Sequence, residues 1–379
     1  MLHFDRRLLL NFDWVLIGAV LVVSTMGMVN LYSSTHHYTN VGTSLYFKEL
    51  AYYLMGAAIV LLVVSIDYRV LLFLNYPLYV AMILLLLFAI AFGSNIPGEQ
   101  RWIHLDFFRT LLSEPAKLIL VITLASYYSC KKTAKGLGLL DLVVPALLTG
   151  LLFLLILKLL DLGTAFLLGC IFISMTLFVK LRWTTLATLL CGGLSLILVA
   201  WNFLQPYQRN RIEAFLNPVN DPLGAGYQII QSKVAVGSGL IFGKGFIRGT
   251  QGQLDFFSER HTDFAFSVWA EEWGFVGAAL LVTCYFFMIF WGLNIANSAR
   301  DKFGELLAFG VVSLIFWQAV INLAMVMGLL PNMGVLLPLV SYGGTSLLIN
   351  LAGLGLLMNI RMRRDLGNNQ TLFPLGTKR

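Results

Sequence analysis

Ten apolar runs divide this chain, with limits near residues 13–34, 47–66, 70–93, 113–130, 138–158, 162–180, 183–203, 264–293, 303–329 and 336–360. Each is close to the roughly 20 residues that carry a helix through a hydrocarbon layer roughly 30 Å thick. The pattern predicts an all-α polytopic membrane protein of ten transmembrane helices. Its tails are short, 1–12 and 361–379, and its single long polar segment is 204–263, between the seventh and eighth runs. The boundary between the fifth and sixth is the faintest, because only Lys158 to Asp161 interrupts them.

Composition agrees, with 58% hydrophobic and 12% charged residues and a mean hydropathy of +0.81; no soluble domain is visible. An even number of spans puts both termini on one side, and placing that side in the cytoplasm assigns it 15 of the 26 lysines and arginines, among them Arg6, Arg7, Arg69, Lys131, Arg300, Arg361, Arg363 and Arg364. Short outer loops carry four, so the positive-inside rule supports this orientation. The first run lacks a small-residue cleavage site and reads as a retained signal anchor. Cytoplasmic flanks facing anionic headgroups account for the net charge of +7; without a basic cluster interleaved with aromatics, the charge makes no case for nucleic acid. Cys130, Cys170, Cys191 and Cys284 lie in or beside apolar runs without paired spacing, so neither a disulfide nor a zinc site is expected.

Connections between membrane helices are usually short, which makes a polar segment of about 60 residues a candidate for function. Segment 204–263 is rich in glycine, from Gly224 to Gly252, and carries Arg209, Arg211, Lys233, Lys244, Arg248 and Arg260, cations suited to phosphate. It closes on Glu259-Arg-His-Thr-Asp-Phe264, leading into an apolar run that contains Glu271 and Glu272. A bilayer penalises each ionisable side chain by roughly 2.5 to 3.5 kcal/mol at mid-span, so Asp263 is the leading candidate for a catalytic base. Ser113-Glu-Pro-Ala-Lys117 opens the fourth run: Ser113 is placed to cap the helix, Pro115 suits its first turn, and Glu114 and Lys117 share a face three residues apart. The bland alternative has Glu114 at the positive helix end and Lys117 reaching to the interface. Asp161-Leu-Gly-Thr164 puts another acid at an outer helix end, where a lone aspartate is often only a cap. Pro331-Asn-Met-Gly334 and Pro338-Leu-Val-Ser-Tyr-Gly-Gly-Thr-Ser346 place small and helix-breaking residues in or beside the last run, as a packing interface or as exposed backbone.

Gln100-Arg-Trp-Ile103, Ser113-Glu114 with Ala116-Lys117, Asp161-Leu-Gly-Thr164, Arg211-Ile-Glu-Ala-Phe-Leu-Asn-Pro218, Asp221-Pro-Leu-Gly-Ala-Gly-Tyr-Gln228, Gly237-Ser-Gly239, His261-Thr-Asp-Phe264 and Ser341-Tyr-Gly-Gly344 occur in that order. Together they resemble the SEDS family of bacterial cell-wall proteins over nearly the whole chain. Gly243-Lys-Gly245, Gly249-Thr-Gln251, Gln253-Leu-Asp-Phe256 and Glu259-Arg-His-Thr-Asp263 look like the elongation (RodA-type) branch rather than the division (FtsW-type) branch. The resemblance implies a peptidoglycan glycosyltransferase of the bacterial inner membrane, polymerising lipid II at the outer face with undecaprenyl diphosphate leaving. Asp263 falls on the family's catalytic aspartate and would deprotonate the GlcNAc 4-hydroxyl. Glu114, Lys117 and Asp161 match residues near the active cavity; Arg211 and Lys244 are candidates for the diphosphate by charge and place, and His261 and Ser341 lie in matching motifs. The family also implies a divalent cation, expected to be magnesium, and a class B penicillin-binding protein as partner. Leu112, Pro115 and Leu160 depart from the family's usual residues and bear on helix-end geometry more than on chemistry. A lipid-linked precursor flippase and a non-catalytic scaffold are the competing readings.

Overall fold

The computed structural model describes residues 12–36, 41–92, 102–105, 108–131, 136–185, 187–188, 206–218, 221, 224–249 and 262–364. In chain order come α1 (Trp14–Thr35), α2 (Val41–Ser65), a 3-10 turn (Tyr68–Val70) and α3 (Leu71–Phe92). Strands β1 (Trp102–Leu105) and β2 (Phe108–Leu111) precede α4 (Glu114–Ser129), α5 (Leu139–Lys158) and α6 (Leu162–Phe178). Then follow α7 (Pro206–Leu216), α8 (Ala225–Ser238), α9 (Ala265–Asn297), α10 (Lys302–Val326) and α11 (Gly344–Met362). The fold is mostly helical rather than all-α, because β1 and β2 form an antiparallel hairpin with Trp102 opposite Leu111.

Among the described residues, seven helices are long and apolar enough to cross a membrane. They cover the predicted first, second, third, fifth, eighth, ninth and tenth spans. The fourth and sixth become α4 and α6, of 16 and 17 residues, shorter than the usual spanning length; the seventh lies almost wholly outside the described residues. The tenth begins at Gly344, not near 336, because 331–343 is non-helical. Pro338 has no N–H to give a helix, Leu339 sits at φ 61°, and side chains take over the backbone bonding there. The Tyr53 hydroxyl donates to Leu339 O at 2.7 Å, the Tyr285 hydroxyl to Pro338 O, and Leu337 N to Ser341 Oγ at 3.0 Å.

Burial sorts the helices. In the most apolar stretches of α10 and α11, 72% of residues are buried, against 22 to 33% in α1, α2, α3, α5 and α9. The first two are therefore central, with the largely buried α4 packed on α10, while the others turn apolar surface outward, as helices apolar all round do in lipid.

At 33 residues α9 would run about 50 Å if straight, well beyond a hydrocarbon layer. It is not continuous: Gly274 adopts φ 64°, ψ −161° inside it. The chain at 240–245 docks onto the break and bonds the backbone groups around it. Phe275 N donates to Leu240 O (2.8 Å), Val276 N to Ile241 O (3.1 Å), Lys244 N to Glu271 O (3.0 Å) and Gly245 N to Glu272 O (3.0 Å). Such close contact needs glycine, since a Cβ on Gly243 would stand 2.1 Å from Glu272 O. Glu271 and Glu272 thus belong to a short helical segment ahead of the break, not to the middle of a span. The polar segment is accordingly part helix, α7 and α8, and part docking loop.

Candidate active site

The non-helical stretch 331–335 is the meeting point. Asn322 of α10, fully buried, donates from Nδ2 to both Asp263 O (2.9 Å) and Val335 O (2.7 Å). One amide therefore ties the residue ahead of α9 to this stretch. The Asp263 carboxylate comes close to it as well: a Cβ on Gly334 would lie 3.6 Å from Oδ2. From α7, Arg211 Nη1 donates to Asn332 O at 2.9 Å, and Asn332 Nδ2 donates to Gln228 Oε1 of α8 at 3.2 Å. Gly163 near the start of α6 closes the other side, where an added Cβ would meet Met333 O at 2.4 Å.

Asp161 anchors that end of α6. Its Oδ1 accepts from Thr164 N at 3.1 Å as an N-cap, and its Oδ2 accepts from Ser113 Oγ at 2.5 Å. Ser113 therefore does not cap α4, as the sequence predicts; it is fully buried and spends its hydroxyl on Asp161. The residue before, Leu160, holds φ 61°, a value closed to proline, whose ring keeps φ near −65°; the unusual residue has a geometric counterpart. One residue after Ser113, Glu114 forms an ion pair with Lys117 whose side chains are 5% and 3% exposed. Two buried charges survive in such a place because each neutralises the other.

Asp263, Arg211, Asp161, Glu114 and Lys117 are thus connected through one stretch of backbone and one hydroxyl. Lys244 Nζ pairs with Glu271 Oε1 at 2.6 Å, which ties the docking loop to the segment before Gly274. Ser341 is buried and holds a turn. His261 lies outside the described residues. Sequence reasoning missed Asn322, although a carboxamide inside an apolar run is the signal that would have singled it out, and it noted Asn332 only within the Pro331–Gly334 motif, without its bonds. It also missed the Ser33 hydroxyl bond to Glu272. Among the described residues no group of three or more His, Cys, Asp or Glu could hold a metal ion.

This architecture has relatives. A family profile of cell cycle proteins covering FtsW, RodA and SpoVE matches residues 10–366. The chain belongs to this family. Curated members include the peptidoglycan glycosyltransferase MrdB of Escherichia coli K12, 38% identical over 325 residues, covering 84% of this chain and 86% of that protein. Another is the probable peptidoglycan glycosyltransferase FtsW of Trichlorobacter lovleyi, 38% identical over 370 residues and covering 93% of each. Among solved family structures, a chain from one described as structural coordination of polymerization and crosslinking by a peptidoglycan synthase complex superposes with a TM-score of 0.79. It is 32% identical and covers 94% of this chain and 99% of that one. The rod shape determining protein RodA of Thermus thermophilus gives 0.70 at 29% identity, covering 94% and 98%.

Proposed function

We propose that this protein is a peptidoglycan glycosyltransferase that joins lipid II units into glycan strands, with Asp263 as general base. The observation that carries the reading is the convergence of Asp263, Arg211 and the Asp161 end of α6 on residues 331–335. A base must be held within hydrogen-bond reach of the hydroxyl it deprotonates. The Asn322 bonds fix the Asp263 backbone relative to that stretch, and the carboxylate lies beside Gly334. In the reaction, Asp263 takes the proton of the GlcNAc 4-hydroxyl as that oxygen bonds to MurNAc C1. The bond from C1 to the diphosphate breaks, and undecaprenyl diphosphate leaves with the electron pair. Arg211 lies on the same stretch and is the described cation best placed to offset the leaving charge.

Magnesium is commonly held by one or two carboxylates together with substrate phosphates rather than by a protein cage. Asp263 is the described acid beside residues 331–335 and would be the protein's carboxylate in such an arrangement; the ion would supply charge neutralisation at the diphosphate. Loop charge supports an outer-face active site in the cytoplasmic membrane with both termini inside. A class B penicillin-binding protein is the expected partner, in keeping with the synthase complex to which the chain is similar. The motif words near 243–263 favour elongation. Equal 38% identity to relatives named for either branch makes complementation of elongation-deficient and division-deficient cells the deciding test.

The primary experiment is glycan-strand formation from purified lipid II by the reconstituted protein with a transpeptidase-inactive partner, comparing wild type with an equally folded Asp263→Asn. Polymer from wild type alone is expected, and chelation should reduce it. Equal polymer from both would remove Asp263 as base. No polymer from either would favour a flippase, detectable as precursor movement across vesicles, or a scaffold.

A further inference from the structure

Asp263 precedes a piece of helix that cannot orient itself. Residues 265–273 lie between it and the break at Gly274, fewer than the roughly 12–15 that an isolated helix needs to persist in water. The break uncouples them from the rest of α9. Every residue from Ala265 to Glu272 is buried, so neighbouring elements set the direction of the segment. We propose that α1 is one of these elements and that its Asn30 and Ser33 are positioning residues, aiming Asp263 at the substrate hydroxyl through this segment. The inference rests on Asp263 being the base.

One side of α1 faces away from the protein core, with Leu21, Val22 and Tyr32 exposed. The other is built for contact: Gly27, Asn30 and Ser33 follow at a spacing of three and are buried. Asn30 Nδ2 donates to Ala265 O at 2.8 Å, and the Ser33 hydroxyl donates to Glu272 Oε1. The helix therefore holds the segment in its first turn and again just ahead of the break. Such bonds between membrane helices tie one to the other where water does not compete.

Gly27 lies against the opposite wall of the site. An added Cβ there would stand 2.5 Å from Leu339 O and 2.8 Å from Val340 Cα, in the non-helical stretch that runs on from 331–335. The same helix thus touches the segment that follows the base and the backbone that continues from Gly334, beside which the Asp263 carboxylate lies. Asn322 fixes Asp263 O, one point about which the segment can still turn. The Asn30 and Ser33 bonds restrict that rotation, and the angle of a general base decides whether it meets the hydroxyl it deprotonates.

The test is the initial rate of glycan-strand formation against lipid II concentration, per folded protein, for the reconstituted chain with its transpeptidase-inactive partner. Asn30→Leu and Ser33→Ala should each lower kcat about ten-fold or more, since a misplacement of about 1 Å can cost about a hundred-fold in rate. KM should stay within about two-fold, because what is lost is an alignment realised in the transition state. Ser33→Ala removes a single oxygen and keeps the test open where Asn30→Leu does not fold. Ser34→Ala and Thr35→Val are the controls. Both hydroxyls are buried and donate to Leu31 O within α1, so their loss costs the same helix the same kind of bond away from α9, and kcat should remain that of wild type. An equal fall in the controls would mean that α1 needs only its own integrity and would overturn the positioning role. Wild-type kcat in both Asn30→Leu and Ser33→Ala, or a raised KM at unchanged kcat, would overturn it too. Asp263→Asn in the same series separates the two readings. If it is inactive while both α1 variants turn over normally, only the positioning role falls; if it polymerises like wild type, the base falls and this inference with it.

Discussion

Replacing Lys117 alone should harm the protein more than replacing Lys117 and Glu114 together. The pair sits in the first turn of α4 with side chains 3% and 5% exposed, so water cannot compensate a charge left behind. Removing one member of a buried ion pair costs about 3–5 kcal/mol, whereas exchanging both for apolar groups of similar volume is often neutral or stabilising. Lys117→Met should therefore strand the Glu114 carboxylate at that cost, and Lys117→Met with Glu114→Leu should recover most of it. For 379 residues, an unfolding entropy of about 2.1 cal/mol/K per residue amounts to about 0.8 kcal/mol/K, so the single variant should melt about 4–6 °C lower. That entropy belongs to soluble domains; helices that persist in detergent reduce it and enlarge the shift. The assay is thermal unfolding of the detergent-purified protein for wild type, both single variants and the double, read as a cycle. Equal losses that simply add in the double variant would refute the mutual neutralisation argued here. Polymerisation by the double variant separates the roles: restored stability with activity still lost would mean the charges also serve the substrate.

Asn322→Leu should cost about 2 kcal/mol or more, because the carbonyls of Asp263 and Val335 lose one shared donor; it should also cut polymerisation beyond the stability loss, and wild-type turnover would disprove the positioning role. Gly243→Ala should destabilise by at least about 1 kcal/mol, since φ is +80° and an added Cβ would meet Glu272 O; an unchanged melting temperature would show that the docking loop is not held tightly against the Gly274 break. Arg211→Ala should raise the KM for lipid II, with Arg211→Lys recovering part of the loss if charge at the diphosphate matters; unchanged kinetics in both would remove Arg211 from the site.

The positions and order of the apolar helices were largely legible along the chain because lipid imposes a length and a polarity on a span, and both can be read residue by residue. The fifth and sixth runs separate where expected, at Leu159 to Asp161, and Asp161 is the cap that its position suggested. The Glu114 and Lys117 pair was also readable, since partners three apart on a helix meet whatever surrounds them.

What could not be read depended on contacts between residues far apart. The start of α11 is one example: residues 336–343 are apolar enough for a span, and they leave helical geometry where Tyr53 and Tyr285 from two other helices take up the carbonyls of Leu339 and Pro338. Lys244 is another. Its charge is plain in the sequence, but that Glu271, 27 residues away, stands 2.6 Å from it is not. Ser113 shares this character, with a local pattern that says cap and a partner on another helix that claims the hydroxyl. The sequence alone determined which segments are long and apolar enough to span a membrane and which charged residues must find partners, because hydrophobic length and the cost of bare charge are local properties. Only the tertiary structure decided who those partners are and that Asp263, Arg211 and the Gly163 turn of α6 meet at residues 331–335, because a hydrogen bond depends on distance in space, not along the chain.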